Sequence, residues 1–352
     1  MIYNERKLLF WGELPPETVH GISLSNQRIL NSLSKNYKII TVIDRASFGG
    51  LFRKLFFFTV SLGLLAFNAL KKCDYFYVNA PMSKLGLWRV YLAVRVVSFI
   101  SPKTKVVSHL HRGDFLEFVS QEGHQKLFSK FSMYVDKLLV LANQSKQEIV
   151  EYNLFPESKV SVLFNTIVPS TTVDDTLVGE NEARYLFCLC NYIETKRIDS
   201  LVKLANQLSY DVEFNGVTSS QDYMRSLEQL DFGGHCSFGG VIRGEQKEEK
   251  LKGAKALVLP SLNEGMPLVL LESLAQGTPV ICFDVGYIKE YLGDGYPGLV
   301  KELTDESLGE RLQWLEDLSE EDYVELRRRS FELFWDNFDP AKICIHTRQL
   351  FS

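Results

Sequence analysis

Cysteine is sparse in this chain of 352 residues, and what there is lies scattered. The six cysteines, at 73, 188, 190, 236, 282 and 344, form no C-x-x-C pair and have no histidine cluster beside them. That excludes a disulfide scaffold and a structural zinc site, and it points to a reducing cytosol. The sequence has no Walker loop, no G-x-S-x-G elbow, no zinc triad and no D-x-D run, so P-loop hydrolysis, α/β-hydrolase chemistry and zinc catalysis are set aside. No apolar stretch long enough for a signal peptide precedes Gly12, and secretion is not expected. There is no repeat of solenoid period and no low-complexity segment. A pI near 5.8 without an aromatic-basic platform disfavours a nucleic-acid partner.

What is present is an ordinary globular composition, 45% hydrophobic and 24% charged. At roughly 150 residues per domain the length suggests two domains. The net charge of -5 hides an asymmetry. Residues 1–170 carry 21 Lys and Arg against 12 Asp and Glu, whereas 171–352 carry 18 against 32. The first half is therefore suited to something anionic, such as a membrane surface or a phosphorylated substrate.

Short β-rich runs alternate with helical stretches throughout, the pattern of doubly wound α/β domains. The first half has candidate strands at 7–12, 38–43, 74–79, 105–109, 137–141 and 160–164, near-continuous apolar runs that fit a parallel sheet covered on both faces. Residues 168–183 lack any period and read as a linker, after which strands are expected at 185–190, 212–215, 256–260 and 279–283. The expected division is a domain at 1–168, a linker at 169–183, a second domain at 184–335, and a tail at 336–352 whose short helix crosses back to the first domain. Residues 55–70 carry no charge and are flanked by Arg53-Lys54 and Lys71-Lys72. Sixteen residues are short for a span, which needs about 20, so the first expectation is a buried or groove-lining crossover helix, with an interfacial helix and a true span as alternatives.

The sharpest pattern lies at 259–277, where Leu259-Pro260-Ser261 leads through Glu264 and Gly265 to Met266-Pro267-Leu268 and on to Glu272 and Gly277. A strand ends at Pro260, and a helix is expected to begin with Pro267 and stop at Gly277. Its free amides and positive pole suit a diphosphate, in the crevice where open α/β sheets bind ligands. Glu272 sits in an apolar helix and requires hydrogen-bond donors, which sugar hydroxyls supply. On this reading Glu272 grips a ribose and Glu264 a hexose; the alternative for each is a capping or ion-paired glutamate.

Glu264 and Glu272 with seven residues between them, preceded by Leu-Pro-Ser and followed by Ala-Gln-Gly-Thr-Pro-Val, resemble the E-x7-E motif of retaining glycosyltransferases with the GT-B fold, most closely glycosyltransferase family 4 of the bacterial polysaccharide type. The resemblance implies two Rossmann-like domains with a cleft between them, a nucleotide diphosphate sugar (UDP- or GDP-linked) as donor, and a glycan or lipid-linked acceptor. No cofactor and no metal are expected. It carries Lys196 over as the lysine that meets the donor diphosphate, although Arg197 stands where the family has glycine and Asn191 where it often has arginine. Arg197 is a candidate second phosphate contact, and Asn191 a candidate donor contact.

By the same resemblance, Gly265, Met266, Pro267 and Leu268 lie at the donor, and Gly240 and Val241 meet the nucleotide base through backbone atoms. Around His20-Gly21 the family has a glycine-rich loop near the diphosphate and acceptor; here His20 replaces one glycine. The segment Ser108-His109-Leu110-His111-Arg112-Gly113-Asp114 is similar to His-Leu-His-Gly-Gly, which places His111 beside the donor sugar, makes His109 a candidate for the acceptor or phosphate loop, and puts Asp114 either on an acceptor hydroxyl or at a helix cap. The expected catalytic set is Lys196, Glu264 and His111, with no side-chain nucleophile, in a cytoplasmic protein held peripherally at the inner face of the membrane. A nucleotide-sugar 2-epimerase and a non-catalytic sugar-nucleotide-binding subunit are the rival readings.

Overall fold

A computed structural model describes residues 6–45, 50–81, 83–121, 123–169, 185–218 and 220–352. The expected linker at 169–183 lies outside the described residues except for Pro169. The chain divides into two compact units, one running to Asn165 and including Ala341–Ser352, the other spanning Thr166–Pro340.

In the first unit the strands are β1 (Lys7–Gly12), β2 (Lys38–Ile43), β3 (Tyr75–Asn79), β4 (Lys105–His109), β5 (Lys137–Val140) and β6 (Val160–Val162). They form one parallel sheet in the order β2-β1-β3-β4-β5-β6. The crossovers are α1 (Gly21–Leu33), α2 (Leu51–Ala69), α3 (Lys84–Ile100), the pair α4 (Phe115–Ser120) and α5 (His124–Ser132), and α6 (Asn143–Glu151). Alternate strand residues feed two cores. Leu9, Trp11, Phe76 and Val78 face α2, α3 and α5, while Leu8, Phe10, Tyr75 and Tyr77 face α1 and the chain's end. This two-sided burial is why the strands read as unbroken apolar runs.

In the second unit β7 (Leu186–Leu189), β8 (Val212–Asn215), β9 (Cys236–Gly239), β10 (Ala256–Leu259), β11 (Val280–Phe283) and β12 (Leu299–Val300) are parallel in the order β12-β11-β10-β7-β8-β9. The helices are α7 (Ile198–Leu208), α8 (Gln221–Leu230), α9 (Gly244–Gly253), α10 (Leu268–Ala275), α11 (Ile288–Leu292), α12 (Asp305–Glu316) and α13 (Glu320–Asn337). A last helix, α14 (Pro340–Leu350), packs almost wholly with the first unit. There Phe351 is fully buried against Tyr75 and Tyr77, and Arg348 Nε donates to the Ser32 carbonyl at 2.9 Å.

Three local expectations are corrected. Strands β9 and β12 were not anticipated; β9 carries Gly239 and is only half-buried, and β12 is two residues long, so neither has the apolar run that marks a strand. The polar helix α9, GEQKEEKLKG, was likewise missed because it buries a single side chain, Leu251. Pro267 is the N-cap of α10 and not its first residue, with φ -67° and an extended ψ of 126°.

Candidate functional site

The winding of the second sheet reverses between β7 and β10, since the chain builds outward from β7 to β9 and then returns to place β10 on β7's other side. Loops leaving the carboxyl ends of strands at such a point diverge and leave room for a ligand. Both E-x7-E glutamates and Lys196 lie there. After β7 the chain passes through a single 3-10 turn, Glu194–Lys196, and Arg197 takes a left-handed conformation at φ 49° before α7 begins. A left-handed residue is where glycine is favoured, and Arg197 occupies it at a cost. After β10 the loop runs through Ser261, Glu264 and Gly265 to the cap of α10.

The two loops are tied together. Leu262 N donates to the Thr195 carbonyl at 3.3 Å, and Lys196 Nζ donates to Glu264 Oε1 at 2.5 Å. Both side chains of this ion pair are largely buried. An ammonium has three N–H groups, so Lys196 can hold Glu264 and still donate to a phosphate oxygen. Arg197 is brought elsewhere: its guanidinium pairs with Asp305, donates to the Leu303 carbonyl at 3.2 Å and lies 5.2 Å from the Phe283 ring.

The N-cap Pro267 has no side-chain hydrogen bond to give the first amides of α10, which carry the positive end of the helix dipole. Met266 and Leu268 are buried and anchor the turn. The Ser261 hydroxyl is buried and has no partner among the described residues. Glu272, further along α10, does require a donor, and the structure supplies Lys247 of α9 at 2.7 Å. Lys247 was invisible to sequence reasoning because its helix was.

Asn191 is exposed just after β7, and Gly240 and Val241 are exposed just after β9. The loops at these strand ends are stitched by Cys190 N to the Asn215 carbonyl at 3.1 Å, Gly216 N to the Gly240 carbonyl at 3.2 Å, and Asn215 Nδ2 to the same carbonyl at 3.0 Å. A side chain at Gly216 would place its Cβ 1.8 Å from the Cys190 carbonyl oxygen, so only glycine lets these strands end side by side. Cys188 and Cys190 sit two apart on one face with sulfurs 3.8 Å apart. Hydrogen bonding to Cys190 and burial push the Cys188 thiol up, which removes it as a nucleophile.

In the first unit the winding reverses between β1 and β3, and a cavity of about 360 Å³ opens at their carboxyl ends. Glu13, Asn79, Arg89 and His111 are among its lining residues. His20 is the N-cap of α1. Its Nδ1 accepts from Ser23 N at 3.3 Å, which leaves the ring proton on Nε2, 2.6 Å from a Glu13 carboxylate oxygen. A Cβ at Gly21 would meet nothing within 4 Å, so packing does not require glycine there.

His109 is buried at the end of β4 with Nδ1 3.0 Å from the Tyr77 hydroxyl. The His111 ring lies against it, centroids 3.9 Å apart. The Nε2 atoms of both rings are buried without a partner among the described residues. Burial and the neighbouring His111 hold His109 well below the usual histidine range, and burial with His20 nearby lowers His111 to about 3. Both rings are neutral at physiological pH. Asp114 occupies the N-cap of α4 but makes no side-chain cap bond; its carboxylate takes Arg112 Nε at 2.7 Å. Glu13 was missed as a site residue, although its place just past the first strand was the available signal. Among the described residues, no group of three or more His, Cys, Asp or Glu gathers to hold a metal ion.

Residues 175–331 match the family described as Glycosyl transferases group 1. The chain is 25% identical over 173 residues to the uncharacterized glycosyltransferase MJ1607 of Methanocaldococcus jannaschii, covering 44% of each protein. It is 26% identical over 181 residues to the O-antigen chain mannosyltransferase RfbU of Salmonella typhimurium, covering 49% of this chain and 50% of RfbU. The chain spans about half or less of the length of the curated relatives first matched. The crystal structure of Anabaena HepE in complex with UDP superimposes with a TM-score of 0.73 at 15% identity, covering 98% of this chain and 99% of that one. The fold is GT-B.

Proposed function

We propose that this protein is a retaining, metal-independent glycosyltransferase of the family 4 type. It moves a sugar from a UDP- or GDP-sugar to a hydroxyl of a polysaccharide or lipid-linked glycan, working in the cytoplasm at the inner face of the membrane. The observation that carries the reading is the Lys196–Glu264 pair held across the β7/β10 reversal, with Glu264 in the loop that leads to the start of α10. When the bond from the anomeric carbon to the diphosphate breaks, charge develops on the leaving oxygens. Lys196 and the α10 amides are preorganised cations and dipoles for that charge, each worth about 100- to 1,000-fold in rate. Glu264 orients Lys196 and meets the hexose, while Glu272, steadied by Lys247, takes the ribose hydroxyls. Neutral His111 presents its backbone and ring to the sugar, and no side chain attacks. RfbU, by name an O-antigen chain mannosyltransferase, supports a polysaccharide acceptor.

The test is a thermal-shift panel of UDP- and GDP-sugars, then NMR of the product formed in EDTA. A ligand at 100 times its Kd stabilises by about 2.7 kcal/mol. The expected product keeps the donor's anomeric configuration. An inverted product, a requirement for divalent metal, an epimerised donor formed without acceptor, or binding without turnover would each overturn the proposal.

A further inference from the structure

The crossover helix α2 buries one stripe, Phe58, Ser61, Leu65 and Ala69, against the sheet. Its outward stripe is the side on which a soluble helix is polar. Here that side carries Phe52, Leu55, Phe56, Val60, Leu64 and Phe67, all exposed, Phe52 at 90%. Neighbouring α3 packs against α2 over the same core and repeats the pattern with Leu85, Trp88, Leu92 and Phe99, the last 85% exposed. Near its end an apolar groove of about 540 Å³ opens between Leu92, Phe99 and Tyr134, with Arg95 on its wall. An exposed apolar area of this extent marks a contact surface.

Charge identifies the occupant. Neither α2 nor α3 contains an acidic residue, and Asp74 is the only one between Asp44 and Asp114. Arg53 and Lys54 stand at one end of α2, Lys71 and Lys72 at the other, and Lys84 and Arg95 on α3. Arg53 lies 5.5 Å from the Phe57 ring and Lys71 5.1 Å from the Phe67 ring, long stems running along apolar surface with the charge at the end. Two copies meeting through this face would bring like charges together. A true span is incompatible with the fold, because α2 joins two strands of one sheet and its Phe58, Leu65 and Ala69 are core.

We propose that the outward face of α2 and α3 docks in the plane of an anionic lipid surface, with the aromatic residues inserted at the headgroup boundary and the basic residues on the phosphates. This deepens the membrane part of the function proposed above and rests on it for the acceptor's location. Flotation of the full chain with vesicles of phosphatidylcholine, alone or with 30% phosphatidylglycerol, tests it. The parent is expected to float with the anionic vesicles at 0.1 M salt and to release gradually as salt rises.

The Phe56→Ser, Phe67→Ser, Phe99→Ser triple variant should lose tenfold or more in partition, about fivefold should be lost per cation for Lys71→Gln and Lys72→Gln, and Phe232→Ser, exposed on the second unit, should change nothing. Quenching of the parent's tryptophan fluorescence by brominated-chain lipid, diminished in Trp88→Phe, checks insertion without relying on the triple variant. No flotation of the parent, equal loss in Phe232→Ser, or a dimer in light scattering that the triple variant breaks would overturn the assignment. Turnover on a soluble acceptor reads the glycosyl-transfer proposal separately: turnover without flotation sinks only the docking face, and flotation without turnover sinks only the enzyme.

Discussion

Lys196 and Glu264 neutralise each other in the structure, and a double-mutant cycle separates that pairing from any part Lys196 takes in turnover. Lys196→Met removes the cation and leaves a carboxylate that is only 11% exposed, next to a lysine site 20% exposed. A charge-assisted hydrogen bond contributes about 1.5–3 kcal/mol. The figure stays below the 3–5 kcal/mol for breaking a fully buried pair because water still reaches both groups. In a unit of this size each kcal/mol moves the midpoint by about 2–4 °C, so Lys196→Met should melt roughly 3–12 °C lower.

Adding Glu264→Gln removes the orphaned charge, and the double variant should recover to within about 1 kcal/mol of the parent. Turnover should behave differently. Lys196→Met should lower kcat about 100-fold or more and raise the donor KM less, since the contact strengthens as the leaving group departs. The double variant should stay as slow as the single one. Differential scanning calorimetry and steady-state kinetics on the four proteins decide the matter. If turnover returns along with stability in the double variant, Lys196 serves only to neutralise Glu264 and the mechanism proposed for it fails.

Two further outcomes follow from the same geometry. Because His109 and His111 stay neutral in the fold while unfolded imidazoles protonate below about 6.5, the unfolded chain binds more protons in acid; stability of the first unit should fall by up to about 1.4 kcal/mol per pH unit per ring from pH 6.5 towards 4, and His111→Asn should remove one ring's share of that slope in urea titrations. An unchanged slope would contradict a neutral, buried His111. Gly216→Ala drives a Cβ into the Cys190 carbonyl and should cost about 1–3 kcal/mol while weakening donor binding through the loop before Lys196; an alanine variant as stable as the parent would show that the strand ends can separate freely.

Period and composition pointed to the alternating α/β architecture, because parallel strands covered on both faces are apolar throughout, and runs as short as 137–141 and 256–260 between helical stretches suit strands better than helices. The spacing of Glu264 and Glu272, together with the turn residues around Pro267, likewise determined that one carboxylate lies in the loop before a helix start and the other within that helix. Which strands are neighbours was decided only in three dimensions. The β7/β10 contact that brings Lys196 onto Glu264 joins residues 68 apart, and no local period encodes it. The partners of the carboxylates were also tertiary decisions. Lys247 reaches Glu272 from a helix too polar to be seen by periodicity, and Asp305 draws Arg197 aside across 108 residues. So too for residues 55–70: their apolar character was plain in the sequence, but only the packing shows one stripe in the core and the other outward. A local pattern records what a residue prefers to touch, and the chain's long-range closure chooses which partner stands there.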